Sequence, residues 1–389
     1  MRNLLIISQA YNNFVKDPIE TMSNHFTEVN VLVRHNPISE ISNIVPIHYF
    51  NPFTKKSLID MTNKPPNINV IATPVFYIPT DSQYKKLGEK HFKVVDKILQ
   101  KKNISDIDLI HSHFIWSSGY VGKRLKDKYA IPLVITAHGF DVYNLPFKDD
   151  DWKEKIETIL NGTDCIITVS NSNLEYLKKL SINTPIKIIP NGFRGDMFYP
   201  MDINQCRSKL GLPLDKKIIL TAGHLIEIKN HNLLIGAIND IIKQRKDILC
   251  IILGSGKLKN RLENQINKFG LKNYIKIIGE RPHNEIPVWM NACDIFVLTS
   301  LNEGNPTVMF ECLGCGKPFI GTRVGGIPEI IISEDYGFLA GTFNPKEMAE
   351  KILKALDKEW NYNIIKRYAQ NFTWKNISKD ILQTYENIL

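Results

Sequence analysis

A chain of 389 residues with 43% hydrophobic and 23% charged residues has an ordinary globular composition, which excludes disordered and fibrous proteins. Its length exceeds what one hydrophobic core usually supports, so two domains are expected. The net charge of +9 fits nucleic acid, an anionic membrane or a polyanionic small molecule as a partner. Because the charge is dispersed and no nucleic-acid-binding motif occurs, we expect no nucleic acid and favour the other two partners.

The first residues predict a β-strand rather than a signal peptide, and no apolar run is long enough to span a bilayer. We therefore expect a cytoplasmic protein, and peripheral contact with the inner face of the cell membrane stays open. Further short buried strands alternate with helical patterns through the first half. The strands are predicted at residues 4–8, 28–33, 70–72, 108–111, 132–136 and 164–169. This alternation predicts an α/β fold with a doubly wound parallel sheet, which binds ligands beyond the carboxyl ends of its strands.

Residues 84–102 form a predicted helix with many lysines and an apolar side. A basic amphipathic helix can lie against anionic lipid. A lysine-rich face is also common on helices that are simply solvated. The sequence leaves both interpretations open.

Polar side chains follow two of the predicted strands. His113 and Trp116 come after the strand at 108–111, and His138 and Asp141 come after the strand at 132–136. Residues in these positions can line a ligand-binding edge. The alternative is a helix start with packed structural histidines.

The second half repeats the strand–helix alternation, with strands predicted at residues 217–221, 249–253, 275–278, 295–298 and 318–321. Turn residues between 191 and 200 indicate a domain boundary. We expect one domain at 1–195 and another at 196–374, followed by a capped amphipathic helix at 375–389.

The most informative stretch lies between two glutamates, Glu303 and Glu311. A strand precedes it and a helical pattern follows it, so the residues between form a strand-to-helix turn. The turn consists of Gly304, Asn305, Pro306 and Thr307. Free backbone N–H groups at a helix start favour an anion, and carboxylates beside them can accept hydrogen bonds from vicinal hydroxyls. We expect Glu303 to be exposed, so that its replacement leaves the fold intact. The alternative is a helix cap and one solvated glutamate.

No metal site is predicted. Cys312 and Cys315 have the spacing of half a zinc site, but no second pair matches them. The six cysteines lie mostly in apolar contexts and are expected to be reduced. Asp106 and Asp108 imitate a metal-binding Asp-x-Asp motif, although Asp108 opens a predicted strand.

Three elements in order resemble motifs of the retaining nucleotide-sugar glycosyltransferases of group 1, also called glycosyltransferase family 4. They are His138-Gly139, the segment 223–229 and the segment 303–311, and the resemblance covers roughly residues 100–389. It implies the GT-B fold, with two Rossmann-like domains facing a central cleft. The first domain would bind the acceptor and the second the donor, with the last helix packing back on the first.

The resemblance also implies roles for single residues. The donor would be a nucleotide diphosphate sugar, UDP- or GDP-linked, and the acceptor a glycan or a lipid-linked molecule, without cofactor or metal. Catalytic roles would fall to His138, Glu303 and Lys229. Donor contacts would come from Gly223, His224, Gly279, Gly304, Asn305, Pro306, Thr307 and Glu311, and acceptor-side contacts from His113, Trp116 and Asp141.

Two departures from the family pattern are visible. His224 stands where arginine is usual, which gives a weaker and pH-dependent hydrogen-bond donor. The loop 11–18 lacks the glycines that let a backbone approach a phosphate. An epimerase acting on sugar nucleotides and a non-catalytic module that binds a sugar nucleotide or lipid are the competing interpretations.

Overall fold

The computed structural model describes residues 2–43, 53–101 and 106–389. The chain forms two compact units, one comprising Met1–Asn191 with Trp374–Leu389 and the other Gly192–Thr373. Each unit is an α/β structure with its own parallel sheet, as the strand–helix alternation predicts.

The first unit contains seven strands in the order β3-β2-β1-β4-β5-β6-β7, all paired in parallel. Its strands are β1 (Arg2–Ser8), β2 (Phe26–His35), β3 (Ile68–Pro74), β4 (Leu109–His113), β5 (Leu133–Ala137), β6 (Cys165–Thr168) and β7 (Ile186–Ile188). Its helices, apart from the final one, are α1 (Asn13–Met22), α2 (Lys55–Leu58), α3 (Asp81–Lys85), α4 (Leu87–Lys101), α5 (Tyr120–Tyr129), α6 (Phe140–Tyr143), α7 (Asp150–Asn161) and α8 (Asn171–Leu177).

The second unit contains six parallel strands in the order β10-β9-β8-β11-β12-β13. The strands are β8 (Lys217–Ala222), β9 (Ile248–Leu253), β10 (Ile275–Gly279), β11 (Ile295–Leu298), β12 (Phe319–Thr322) and β13 (Gly337–Ala340). The helices are α9 (Ile203–Leu210), α10 (His231–Ile241), α11 (Lys259–Lys268), α12 (Ile286–Ala292), α13 (Thr307–Gly314), α14 (Ile327–Ile330), α15 (Pro345–Asp357) and α16 (Tyr362–Ala369).

The final helix, α17 (Trp374–Glu386), belongs to the first unit. It packs against α1 and buries the apolar side of its amphipathic pattern. The hydroxyl of Tyr385 lies 2.6 Å from Nδ1 of His111 on β4, so the helix is tied to the sheet by a buried polar contact as well as by apolar packing.

The second sheet is covered on both faces, because successive side chains of a strand point to opposite sides. Ile219 and Val297 belong to a core with α10 and α15, whereas Leu220 and Phe296 belong to a separate core with α12 and α13. A strand buried on both faces is apolar at most positions, which is why these strands read as nearly continuous hydrophobic runs.

Short polar side chains fix where several helices begin. Each accepts a hydrogen bond from a backbone N–H of the first helical turn, which otherwise has no partner in the helix. These capping residues are Asp149 of α7, Ser170 of α8, Asp202 of α9, Asn344 of α15 and Asn361 of α16.

The predicted basic helix is divided into α3 and α4, and Lys102 lies outside the described residues. Leu87, Val95 and Leu99 are buried in the core of the first unit, so the apolar side of α4 packs on the protein. The side that remains exposed carries lysines. No helix within residues 2–43, 53–101 and 106–389 is both long and apolar enough to cross a membrane.

Candidate functional site

Glu303 lies just beyond β11, at the carboxyl edge of the second sheet. Its Oε1 accepts hydrogen bonds from Nζ of Lys229, at 2.5 Å, and from the hydroxyl of Ser300, at 2.6 Å. The residue is only 9% exposed, so the expectation of an exposed carboxylate is wrong. The sequence-predicted carboxylate and cation therefore form one partly buried ion pair, and Ser300 is a third member that the sequence did not indicate.

The turn after Glu303 is held by a close backbone contact with a later loop. Gly325 has φ +52°, and a Cβ atom there would lie 1.6 Å from the carbonyl oxygen of Glu303. The N–H of Gly326 donates to the carbonyl of Gly304 at 3.0 Å. Only glycine permits this approach, which fixes the backbone that carries Glu303.

The helix that follows the turn begins at Thr307, as predicted, with Pro306 as its extended N-cap residue. Gly304, Asn305 and Pro306 are buried, and Thr307 is partly exposed. The first backbone N–H groups of this eight-residue helix thus come four residues after Glu303 in the chain. A helix start in this position favours negative charge.

Glu311 lies one turn further along α13 and is 8% exposed. Its Oε1 is 3.1 Å from Nε2 of His283, and the His283 ring lies 5.4 Å from the ring of Phe198. Sequence reasoning missed His283. It stands in a short turn between β10 and α12, and nothing in its local pattern indicates the contact with Glu311.

The loop after β8 carries the other predicted donor residues. His224 is exposed on this loop, and Gly223 and Lys229 are partly buried. Gly254 (φ +147°) lies beneath it, and a Cβ atom there would be 1.9 Å from the carbonyl oxygen of Gly223. The Gly254 N–H donates to the carbonyl of Gly279 at 2.9 Å, which links the ends of β8, β9 and β10. Gly254 therefore has a packing function that explains its place in the sequence.

The first unit brings three histidines together at the carboxyl ends of β4 and β5. The ring of His113 stacks between those of His111, at 4.5 Å, and His138, at 5.3 Å. Nδ1 of His113 lies 3.1 Å from Nε2 of His138. Nδ1 of His138 is buried and has no hydrogen-bond partner among the described residues.

Burial favours the neutral form of these imidazoles. It lowers the pKa of His113 to about 4 and also lowers the pKa of His111 and His138, to which the neighbouring histidines add a smaller effect. His138 therefore acts at neutral pH as an uncharged hydrogen-bonding group.

Asp141 and Trp116 are buried beside this edge and bind the backbone of neighbouring loops. The carboxylate of Asp141 accepts the N–H groups of Ile115, at 2.8 Å, and Gly139, at 3.0 Å, and burial raises its pKa. The indole N–H of Trp116 donates to the carbonyl of Tyr84 at 3.1 Å, and the side chain is 2% exposed. Both residues thus shape the loops beside His138.

Within the described ranges, no group of three or more His, Cys, Asp or Glu residues could hold a metal ion. All six cysteines are buried and free. Burial raises the pKa of the Cys250 and Cys293 thiols to about 12, which disfavours the thiolate needed for metal binding or redox chemistry.

Two family models match the chain. Residues 202–372 match "Glycosyl transferases group 1", and residues 45–194 match "Glycosyltransferase Family 4".

Relatives with curated descriptions span most of the chain. A glycosyltransferase of Methanocaldococcus jannaschii, described as uncharacterized, is 31% identical over 301 residues, which are 76% of this chain and 79% of the relative. The D-inositol 3-phosphate glycosyltransferase of Corynebacterium jeikeium is 27% identical over 72% of each chain. The putative teichuronic acid biosynthesis glycosyltransferase of Bacillus subtilis is 27% identical over 80% of this chain and 74% of its own.

Solved structures match the whole chain in fold. The sucrose-phosphate synthase of Thermosynechococcus elongatus superposes with a TM-score of 0.79 and 21% identity, covering 100% of this chain and 99% of that one. Anabaena HepE in complex with UDP and glucose superposes with a TM-score of 0.76 and 20% identity, covering 100% of both. These matches confirm the predicted GT-B fold class, with its two Rossmann-like domains.

Proposed function

Because the chain belongs to the group 1 glycosyltransferases of glycosyltransferase family 4, we propose that it is a retaining, metal-independent hexosyltransferase. It moves a sugar from a nucleotide diphosphate to a hydroxyl of a glycan or lipid-linked acceptor. The observation that carries the proposal is the contact between Lys229 and Glu303 beside the start of α13. It joins a cation suited to a diphosphate with a carboxylate suited to sugar hydroxyls.

The second unit would hold the donor. Lys229 and His224, together with the backbone amides at the turn 304–307, would bind the diphosphate and stabilise the charge that develops as it leaves. Glu303 would accept hydrogen bonds from the sugar and Glu311 from the ribose. Gly223 and Gly279 would keep the neighbouring backbone close to the nucleotide.

The reaction would be a front-face displacement. The bond between the anomeric carbon and the phosphate oxygen breaks, and a bond to the acceptor oxygen forms on the same face. The acceptor proton passes to the departing diphosphate, which leaves as the nucleoside diphosphate. His138, which is neutral because it is buried, would contact the donor sugar and ease charge at the anomeric carbon.

A UDP-linked donor is favoured over a GDP-linked one because structures of Anabaena HepE contain UDP with glucose and UDP-glucose. The acceptor would lie on the first unit, at the edge that His113, Trp116 and Asp141 build. The name of the Bacillus subtilis relative, a putative teichuronic acid biosynthesis glycosyltransferase, supports an acceptor from polysaccharide synthesis.

Peripheral membrane contact would fit a lipid-linked acceptor and would be electrostatic. The apolar side of α4 is buried, whereas Lys90, Lys93 and Lys97 are exposed. These lysines could face anionic headgroups at the inner side of the cell membrane without inserting the helix.

A thermal-shift screen with nucleotide diphosphate sugars tests donor binding. A ligand at 100 times its Kd stabilises the native state by about 2.7 kcal/mol, which is roughly 5–10 °C for a unit of this size. We expect a clear shift with one UDP-sugar and a much smaller one in Lys229→Met. Equal shifts in both proteins would contradict the assignment of Lys229.

Transfer itself is tested by incubating the best donor with candidate acceptors and assigning the anomeric configuration of the product by NMR. Retention of the donor configuration is expected. An inverted product would overturn the retaining mechanism. Conversion of the donor into an isomeric sugar nucleotide, without a glycosylated product, would replace transfer by epimerisation.

A further inference from the structure

A second polar cluster lies in the first unit and is not used by the proposed chemistry. Its centre is Arg34, the last but one residue of β2, which pairs in register with Thr73 near the end of β3. The carboxyl ends of parallel strands share one edge of the sheet, so Arg34 lies on the same edge as His113 of β4. Arg34 is 9% exposed.

The groups in direct contact with the guanidinium are neutral. The buried carboxylate of Asp141 acts on the nearby Tyr84 hydroxyl, but it accepts hydrogen bonds from the N–H groups of Ile115 and Gly139 and forms no ion pair with Arg34. Nη1 of Arg34 donates to the hydroxyl of Ser117 at 3.2 Å, and the Tyr77 ring centroid lies 5.6 Å away. The same hydroxyl is 3.0 Å from Nδ1 of His91, whose Nε2 is 3.1 Å from the hydroxyl of Thr73. Burial, and secondarily the nearby Arg34, lowers the pKa of His91, so this histidine adds no charge.

No carboxylate of the described residues forms an ion pair with Arg34. Residues 1, 44–52 and 102–105 lie outside the described ranges, and their sequence contains no aspartate or glutamate. Arg207 makes the contrast clear, because it is 5% exposed and its Nη2 is 2.6 Å from the carboxylate of Asp294. Among the described residues, Arg207 therefore has an ion-pair partner and Arg34 has none.

A buried charge without a counter-charge destabilises a fold, and natural proteins rarely keep one without a use. The guanidinium is a planar fork that matches phosphate and carboxylate oxygens, and hydroxyls beside it can donate to the same anion. The Tyr84 hydroxyl is such a neighbour: burial raises its pKa, Arg34 opposes that rise, and the phenol stays protonated.

We propose that Arg34 binds an anionic group, a phosphate or a carboxylate, on the acceptor. This inference rests on the proposed function for the identification of the ligand as an acceptor, since Arg34 lies in the unit assigned to acceptor binding. The anion gives Arg34 a direct ion-pair partner and holds the acceptor at the edge of the sheet that also carries His138. Acceptors with an anionic group are therefore preferred over their neutral counterparts.

Two substitutions separate this role from a structural one. Arg34→Met removes a charge that has no ion-pair partner among the described residues, so the melting temperature of the ligand-free protein should stay the same or rise. Arg207→Met is the matched control. It removes the guanidinium that lies 2.6 Å from Asp294 and leaves this carboxylate with the more distant Lys217, at 3.8 Å, so it should lower the melting temperature. A marked loss of stability in Arg34→Met would show that the arginine serves the fold and would overturn the proposal.

Inorganic phosphate is the first probe, titrated into the full chain at constant ionic strength. We expect an Arg34-dependent rise in melting temperature that persists in Lys229→Met, where the proposed donor site is weakened, and is lost in Arg34→Met. An equal rise in all three proteins would reflect the general stabilising effect of phosphate. That result would also overturn the proposal.

The second probe is a set of acceptors that share one sugar, namely a hexose, its phosphate ester and its uronic acid, with the donor found in the thermal screen. The acceptor with the lowest KM identifies the preferred anionic group. In Arg34→Met that KM should rise by about 10- to 100-fold, the usual worth of a charge-assisted hydrogen bond. Donor hydrolysis without acceptor should be unchanged.

The two proposals fail in different ways. If the wild-type protein uses no nucleotide sugar, the proposed function fails, whatever phosphate does. If it transfers sugar but treats neutral and anionic acceptors alike, and Arg34→Met behaves as the wild type, only the anion site is refuted.

Discussion

Replacing Glu303 by glutamine would change one charge in the centre of the proposed donor site. In the ligand-free protein the carboxylate holds Lys229 at 2.5 Å and Ser300 at 2.6 Å. A diphosphate that binds Lys229 must compete with this carboxylate, and the carboxylate also repels the phosphate charge. The amide keeps the shape and a hydrogen-bonding oxygen but removes both effects.

Three magnitudes follow from the environment of the pair. Removing one partner of a fully buried ion pair costs about 3–5 kcal/mol, and the exposed fractions here, 21% for Lys229 and 11% for Glu303, reduce this to roughly 1–2 kcal/mol. The melting temperature should thus fall by about 2–8 °C. The same 1–2 kcal/mol, released when Lys229 is free, should tighten binding of free UDP by roughly 5- to 30-fold. Transfer should fall by about 10- to 100-fold or more, because a charged hydrogen bond to the sugar is lost.

Calorimetric titration with UDP, differential scanning calorimetry and initial rates measure the three effects. Glu227→Gln is the matched control, because Glu227 lies on the same loop as Lys229 but pairs with Arg261 at the surface, and it should leave all three unchanged. Wild-type turnover in Glu303→Gln would remove this residue from the site. Unchanged or weaker UDP binding would refute the competition between the carboxylate and the phosphate for Lys229.

Three further predictions concern the turn, acid stability and metal. Gly325→Ala should destabilise the second unit by about 3 kcal/mol, because it combines a left-handed φ with a clash against the Glu303 carbonyl. The control Gly270→Ala, at a position with φ +68° and no atom within 4 Å of an added Cβ, should cost only about 1–2 kcal/mol. Equal urea midpoints for the two variants would contradict the clash. Burial lowers the pKa of His113 to about 4, so the folded state disfavours protonation of this ring. The free energy of unfolding should therefore fall as pH drops from about 6.5 towards 4, and this residue should account for up to about 3 kcal/mol of the loss. Urea midpoints across that range measure the loss, His113→Asn should reduce it, and a flat profile would count against a buried neutral ring. Added chelator should leave the transfer rate unchanged, and loss of activity that manganese restores would overturn the metal-free proposal.

The sequence was sufficient for the architecture because apolar runs buried on both faces have few alternative folds. Every predicted strand is present, and the helix predicted from Thr307 begins there. The two strands that the sequence did not indicate, β7 and β13, are short strands at the sheet edges. Three or four residues carry too little pattern to be recognised alone.

The environment of the candidate site was harder to predict. The backbone of Glu303 packs closely against Gly325, a residue of a later loop, and the side chain of Glu311 contacts His283, from the turn before α12. That Arg34 has no ion-pair partner among the described residues can be seen only once the positions of the carboxylates are known. Local periodicity contains none of this information, because each contact joins residues that are distant in the chain.

The place of α17 has a consequence for biosynthesis. The first unit is completed by residues 374–389, which pack on α1 and bring Tyr385 to His111, yet the ribosome makes them only after all of Gly192–Thr373. The second unit is continuous and can fold as soon as it emerges, whereas a nascent chain that stops before Trp374 leaves apolar side chains of α1 uncovered. The part of the polypeptide that is synthesised first therefore can be completed only after the last residues have been made.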